Sequence, residues 1–317
     1  MSGPAIQRPG PPRRIERLKR ALLGPRGGPA DMRYHKVTNR LSALVYSVTN
    51  GALPKAIELE TLSACNGGCQ FCPVNRFVDP RARVEMAMPL IEKIARELGE
   101  ARYAGHLALF SNNEPLLDKR LVEICSLLRQ RVPRAWLYLY TNGTPLTPES
   151  YVALAQAGLD EMIINNYSDD LTIRKQVQRV IDEIRASHDP NVVRLGARTL
   201  VHVRPENEVL GARGGLAPNK QDGPQARYFH RESCGVPYMQ MVIRPSGAVS
   251  LCCQDALGQF TLGDVSRQSI REVWNGEPYT TFRRRLETEG RGALDLCRDC
   301  DAHLLYIPVL RRMVDSK

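Results

Sequence analysis

With 317 residues, 43% of them hydrophobic and 25% charged, the chain can bury the core of one large domain plus a small appendage. No apolar run reaches the roughly 18 residues that a membrane span needs. The first residues carry charge and proline where a secretory signal would be apolar, so the expected address is cytoplasmic, without membrane attachment.

The net charge of +10 is unevenly spread. Arg8, Arg13, Arg14, Arg17, Lys19, Arg20 and Arg26 stand against Glu16 alone in a stretch dense in proline and glycine. Residues 1–50 therefore read as a basic, partly disordered arm, a solubilising tail rather than a nucleic-acid contact. The milder positive charge of the remainder suits an anionic substrate or partner.

From residue 56 strands and helices alternate. Ala56–Leu62 reads as a strand running into a cysteine loop. Met88, Ile91, Ile94, Ala95 and Leu98 recur at helical spacing. His106–Phe110 is a short apolar strand, and Leu121, Ile124, Cys125 and Leu128 share a helix face, which makes Cys125 a core residue. Trp136–Tyr140 is a strand ending at Thr141–Asn142–Gly143. Thr147 and Pro148 open a helix as N-cap and first residue. Glu161–Ile164, a helix over Leu171–Ala186 and Thr199–Val203 continue the rhythm. Such repeats give an α/β fold with a parallel sheet and helices outside it. His106 and His202 lie on strands and read as satisfied core histidines.

The rhythm stops after Arg204. Residues 205–230 read as a long connection. Met239–Ile243 and Ala248–Leu251 form a β-hairpin around Pro245–Ser246–Gly247, and a helix follows at Ile270–Trp274. The division is an arm over 1–50, a core over 51–230 and a small unit over 231–317.

Nine cysteines in a chain without a secretory signal point to metal rather than disulfides. Cys65, Cys69 and Cys72 stand in a C-x3-C-x2-C spacing directly after a strand. Thiolates suit iron–sulfur clusters, and three on one loop leave an iron open for chemistry. A zinc site would want a fourth ligand close by, and none is near. With Phe71 before the last cysteine, this stretch resembles the signature of the radical S-adenosylmethionine (SAM) superfamily.

That resemblance implies a partial (β/α)6 barrel, a [4Fe–4S] cluster that binds SAM, and a radical that abstracts hydrogen from the substrate. It makes Phe71 a cofactor neighbour. Ser111–Asn112–Asn113–Glu114–Pro115 stands where the family often has Gly-Gly-Glu-Pro, so Asn113 and Glu114 are expected at the SAM amino group. Both glycines of that pattern are replaced here. Glu114 also reads as a helix-capping carboxylate before Leu116–Leu117. Thr141 and Asn142, at the next strand end, are expected to face SAM.

Cys234, Cys252, Cys297 and Cys300 can fully ligate a second site, and spacing alone leaves zinc and a [4Fe–4S] cluster both open. The pattern C-x12-G-x4-C, then Gly263–Asp264–Val265, Glu272–Val273–Trp274 and a late C-x2-C, resembles the SPASM/twitch extension of radical SAM enzymes. The resemblance implies one auxiliary [4Fe–4S] cluster in a small hairpin-and-helix domain.

Cys253 is left over, because adjacent strand residues face opposite ways. It is either a small buried residue or, as in radical SAM epimerases, a thiol that returns hydrogen to a substrate radical. The expected substrate is a small, sugar-like or natural-product molecule, either epimerised through Cys253 or dehydrogenated through the auxiliary cluster. Its expected electron source is an external flavodoxin or ferredoxin type donor. Two alternatives stand beside this reading. One is a peptide-modifying enzyme whose leader peptide meets the basic arm, Arg204, Arg213 and Lys220; the other is a non-enzymatic metal-binding protein.

Overall fold

The computed structural model describes residues 3–7, 29–48, 53–207, 211–219 and 233–302. The basic residues of the arm, Arg8 to Arg26, and Lys220 lie outside the described residues. Strands β1 (Ala5–Gln7), β2 (Ala56–Leu59), β3 (His106–Ala108), β4 (Trp136–Thr141), β5 (Glu161–Tyr167), β6 (Thr199–Arg204), β7 (Gln240–Ile243), β8 (Ala248–Ser250) and β9 (Thr261–Asp264) form one sheet. Their order is β1-β6-β5-β4-β3-β2-β7-β8-β9. All pairings from β1 to β7 are parallel, and β8 and β9 are antiparallel.

Period-two alternation explains the layering. Ile57 and Leu59 on β2, Leu107 on β3, Leu137 and Leu139 on β4 and Met162 and Ile164 on β5 enter the hydrophobic core. That core is completed by Ile91, Ile94, Ala95 and Leu98 of α2 (Met88–Glu100) and by Leu121, Ile124, Cys125 and Leu128 of α3 (Leu121–Arg131). Helices α4 (Pro148–Gln156), α5 (Lys175–Ala186) and α6 (Pro190–Gly196) supply the rest of the crossovers. Thr147 caps α4 in a capping box with Ser150. The intervening strand residues point to the other face. There Trp136, Tyr138 and Tyr140 of β4 join His106 and Phe110 in a ring cluster, with Phe110 stacked on Tyr140 at 4.5 Å.

Three features depart from the sequence reading. The arm holds β1, beside β6, and α1 (Pro29–Val48). Asn39 of α1 donates to Ser233 O at 2.7 Å and accepts from Gly235 N at 2.9 Å, clamping the backbone on both sides of Cys234. Ordered neighbours explain this helix where composition pointed to disorder. Strand β2 stops at Leu59, because residues 60–64 turn into the cysteine loop. The hairpin β7–β8 also does not stand apart: β7 pairs with β2 from Ala56↔Gln240 to Leu59↔Ile243. We propose the division near residue 231 as one of function rather than of packing.

The helices α7 (Ile270–Asn275) and α8 (Glu277–Thr288) cover β9. Arg283 of α8 is buried in an aromatic box, its guanidinium 4.2 Å from the rings of Tyr46 and Trp274 and 4.7 Å from Tyr279. Since Tyr46 belongs to α1, this cation–π contact ties the N-terminal helix to the C-terminal unit.

Candidate active site

The cysteine loop follows β2, and its shape comes from groups other than the cysteines. Ser63 N donates to Val84 O at 2.9 Å, while the Asn75 side-chain amide donates to Cys69 O and Cys72 O at 3.2 and 2.8 Å. Gly67 N donates to Cys65 Sγ at 3.3 Å. A Cβ on Gly67 would lie 3.5 and 3.6 Å from the sulfurs of Cys65 and Cys69, so this glycine sits between two thiols. Burial pushes both thiols up to about 12. Such thiols are inert until a metal displaces their protons.

Glu114 bridges three segments. One carboxylate oxygen accepts from Thr141 Oγ1 at 2.7 Å and Leu116 N at 3.1 Å, and the other from Asn142 N at 2.7 Å. Burial lifts it to about 7 against these hydrogen bonds. Its own N–H donates to Ala64 O, at the start of the cysteine loop. The capping role therefore holds, and the same carboxylate brings Thr141 and Asn142 to the loop, where Asn142 Nδ2 donates to Asn66 Oδ1 at 2.8 Å. Asn113 Oδ1 accepts from Ser111 N, whereas its Nδ2 is buried with no hydrogen-bond partner among the described residues. Phe71 is buried and packs on Tyr167 at the end of β5, 5.5 Å between ring centres.

Four further thiols meet in the C-terminal unit. Cys234, Cys252, Cys297 and Cys300 line one cavity, with Arg291 in its wall. Cys297 and Cys300 come from α9 (Asp295–Arg298) and the residues after it, and Cys252 follows β8. Burial holds the Cys252 thiol well above its usual range, reinforced by the other cysteines it faces. Among the described residues no three Cys, His, Asp or Glu side chains gather tightly enough for one metal ion, as a zinc site requires. Thiols spaced around a cavity fit a larger group, and both sets of donors match iron–sulfur chemistry.

A polar cluster that pattern reading missed links β2, the end of β3 and the turn after β8. Glu58, on the inner face of β2, accepts from Ser111 Oγ at 2.7 Å and from Gln240 Nε2. Burial raises its carboxyl to about 7, opposed by Ser111 and by the facing Arg213. Cys253 is half-buried and within electrostatic reach of both Glu58 and Arg213. Its carbonyl accepts from Asn112 Nδ2 at 3.2 Å. Arg213 also faces Tyr167. It is presented by an Arg213–Gly214–Gly215 turn with φ of 50, 63 and 84°. A Cβ on Gly214 would stand 2.4 Å from Leu296, and one on Gly215 2.8 Å from Asp299. Ala212 N donates to Asp301 at 2.6 Å. The segment carrying Cys297 and Cys300 thus holds the turn that presents Arg213. The one available signal was Glu58 within the otherwise apolar strand Ala56–Leu59.

Residues 59–188 match the Radical SAM superfamily, and residues 234–301 match SPASM, an iron-sulfur cluster-binding domain. The chain thus carries a radical SAM domain followed by a SPASM domain. The S-adenosyl-L-methionine-dependent 2-deoxy-scyllo-inosamine dehydrogenase of Niallia circulans is 29% identical over 245 residues, 77% of this chain and 92% of that protein. A crystal structure of BtrN in complex with AdoMet and 2-DOIA superposes with a TM-score of 0.64 at 26% identity, covering 80% of this chain and 97% of that one. Native anSMEcpe with bound AdoMet shares the fold alone, with a TM-score of 0.51 at 14% identity over 78% of this chain and 88% of that one. This radical SAM protein is accordingly an oxidoreductase, and its two domains imply a [4Fe–4S] cluster with SAM and auxiliary iron–sulfur binding. Among the described residues no helix is long and apolar enough to cross a membrane.

Proposed function

We propose that this radical SAM enzyme dehydrogenates a secondary alcohol on a small polar ring, of the aminocyclitol or sugar-like class, bound between Glu58 and Arg213. The observation that carries the reading is the polar cluster of buried Glu58 with half-buried Arg213 and Cys253, next to Cys252 of the second site. The likeness to an aminocyclitol dehydrogenase supports the substrate class.

Cys65, Cys69 and Cys72 would hold three irons of the first cluster, and Cys234, Cys252, Cys297 and Cys300 would ligate the second. Bound there, the first cluster with SAM supplies a radical that takes a hydrogen atom, and the second supplies a one-electron acceptor. Asn113 Nδ2 offers a buried donor to SAM, Phe71 an apolar surface, and the Glu114 bridge with Thr141 and Asn142 fixes the loop beneath it. Glu58 takes the proton of the substrate hydroxyl on a carboxylate oxygen, and Ser111 and Gln240 hold that carboxylate in place. Arg213 holds the substrate oxygen. One hydrogen atom, one proton and one electron leave, and the alcohol becomes a ketone. The reductant we infer is a flavodoxin or ferredoxin type donor, and oxygen-sensitive centres of this kind suit the cytoplasm.

Anaerobically reconstituted enzyme incubated with SAM, dithionite and 2-deoxy-scyllo-inosamine or related polyols is expected to yield ketone and 5′-deoxyadenosine together. Glu58→Gln should slow ketone formation by about 10²–10⁴-fold while SAM still binds. With a carboxyl raised to about 7, the base is protonated below that pH. Turnover should therefore fall as the pH drops through 7, and this limb should vanish in Glu58→Gln. Because Arg213 lowers the Glu58 pKa, Arg213→Ala should move the limb to higher pH. A flat profile between pH 6 and 8 in the parent would remove Glu58 as the base.

One observation favours a second reading, epimerisation: the Cys253 thiol belongs to the same polar cluster. Its S–H hydrogen would pass to the substrate carbon radical, and the resulting thiyl would be reduced by one electron from the donor and one proton. In deuterated water epimerisation places deuterium on the product carbon, whereas dehydrogenation gives ketone. Cys253→Ala would then stop product while 5′-deoxyadenosine still forms. Unlabelled ketone from both parent and Cys253→Ala eliminates this reading.

A further inference from the structure

We propose that Arg291 is the buried charge that sets the reduction potential of the auxiliary cluster, making it a better electron acceptor. The proposal rests on the reading that Cys234, Cys252, Cys297 and Cys300 carry a [4Fe–4S] cluster.

The local sequence aims this side chain inward. Gly290 adopts φ 76° and ψ −179°, which sends the chain into the short 3-10 turn Arg291–Ala293 just ahead of the Cys297–Cys300 segment. Arg291 is only 3% exposed. One guanidinium nitrogen donates to Ala302 O at 2.6 Å, anchoring it to the residue pair that follows Cys300. The same side chain lines the cavity of the four cysteines, where among the described residues Gln254 is the one other polar side chain and the remaining wall is apolar.

A buried guanidinium is costly unless an opposite charge faces it. Burial works against its charge here, and the four cysteines it faces favour that charge and outweigh the burial. Four thiolates around a [4Fe–4S] core leave the site negative, and reduction by one electron adds a further negative charge. A fixed cation in an apolar wall stabilises the reduced state more than the oxidised one, which raises the potential. The dehydrogenation proposed above needs such an acceptor for the electron left on the substrate carbon.

The test uses the full chain carrying Cys65→Ala, Cys69→Ala and Cys72→Ala, so that the auxiliary cluster is the sole cluster. Its midpoint potential is read by anaerobic dye-mediated titration with EPR, beside an iron and sulfide assay. Arg291→Met is expected to shift the one-electron equilibrium at least tenfold against the reduced form, about 59 mV toward lower potential. Arg291→Lys, which keeps the charge, should stay near the parent. If the methionine variant fails to load iron while the lysine variant loads fully, the charge requirement is upheld. An unshifted potential in fully loaded Arg291→Met overturns the proposal, as does a lysine variant that shifts as far as methionine or joins it in failing to load. Absence of iron from the parental background sinks the cluster reading and the proposal with it, and the iron assay tells that result apart from the others.

Discussion

Replacing Cys65, Cys69 and Cys72 together by alanine is expected to cut iron from about eight to about four per chain and to abolish SAM cleavage. The protein should still fold. The loop is shaped by Asn75 on the carbonyls of Cys69 and Cys72, by Ser63 paired with Val84, and by the Glu114 bridge. None of these bonds uses a cysteine side chain, so far-UV circular dichroism should match the parent. The reciprocal Cys297→Ala/Cys300→Ala variant should lose the other four irons, about half of the total. It should retain SAM cleavage, now uncoupled from ketone formation. Residual cleavage in the triple variant would show that the first loop does not hold the reactive cluster. Zinc in place of half the iron of the parent would make the C-terminal site structural.

Short-range chemistry was legible in the sequence, and long-range pairing was not. The cysteine loop could be read because three thiolates must lie on one tight turn, a constraint written within eight residues from Cys65 to Cys72. The apolar strands and the capped helix at Thr147 were visible for the same reason, since pleat, helical period and cap are local. Glu114 does accept from Leu116 N as a local cap would, yet its contacts with Thr141 and Asn142 come from the end of a strand 27 and 28 residues on. Glu58 meets Gln240 across 182 residues, because β7 extends the core sheet instead of standing in a separate hairpin. Arg213 stood in a stretch read as a connection, and its direction depends on close packing of Gly214 and Gly215 against Leu296 and Asp299. Arg291 is invisible to spacing, for nothing in a single arginine tells which cavity it enters.

Glu60→Ala is expected to destabilise the protein by about 3–5 kcal/mol and to loosen both thiol sites together. Glu60 is fully buried and accepts from Arg81 at 2.8 Å and from Arg244 at 2.9 Å. Both guanidiniums are nearly buried themselves and also donate to Ala256 O, at 3.3 and 3.1 Å, in the turn that follows Cys252 and Cys253. Arg81 reaches Asn112 O at 2.8 Å, and Arg244 reaches Ser250 Oγ at 2.7 Å. This carboxylate therefore joins the flank of the first cysteine loop, the end of β3 and the start of the second site. Removing it takes away the carboxylate that Arg244 pairs with and leaves Arg81 only its pair with Asp79 at 2.9 Å, which costs far more than losing an exposed pair. The melting temperature of the iron-free protein should fall on the order of 10 °C. Glu85→Gln is the control: that pair with Arg83 is 3.9 Å long and more than half exposed, so its loss should cost under about 0.5 kcal/mol. If Glu60→Ala melts with Glu85→Gln, the buried network is not what joins the two sites. If it melts early, and reconstitution also loses iron from both clusters, the two thiol sites share one structural anchor.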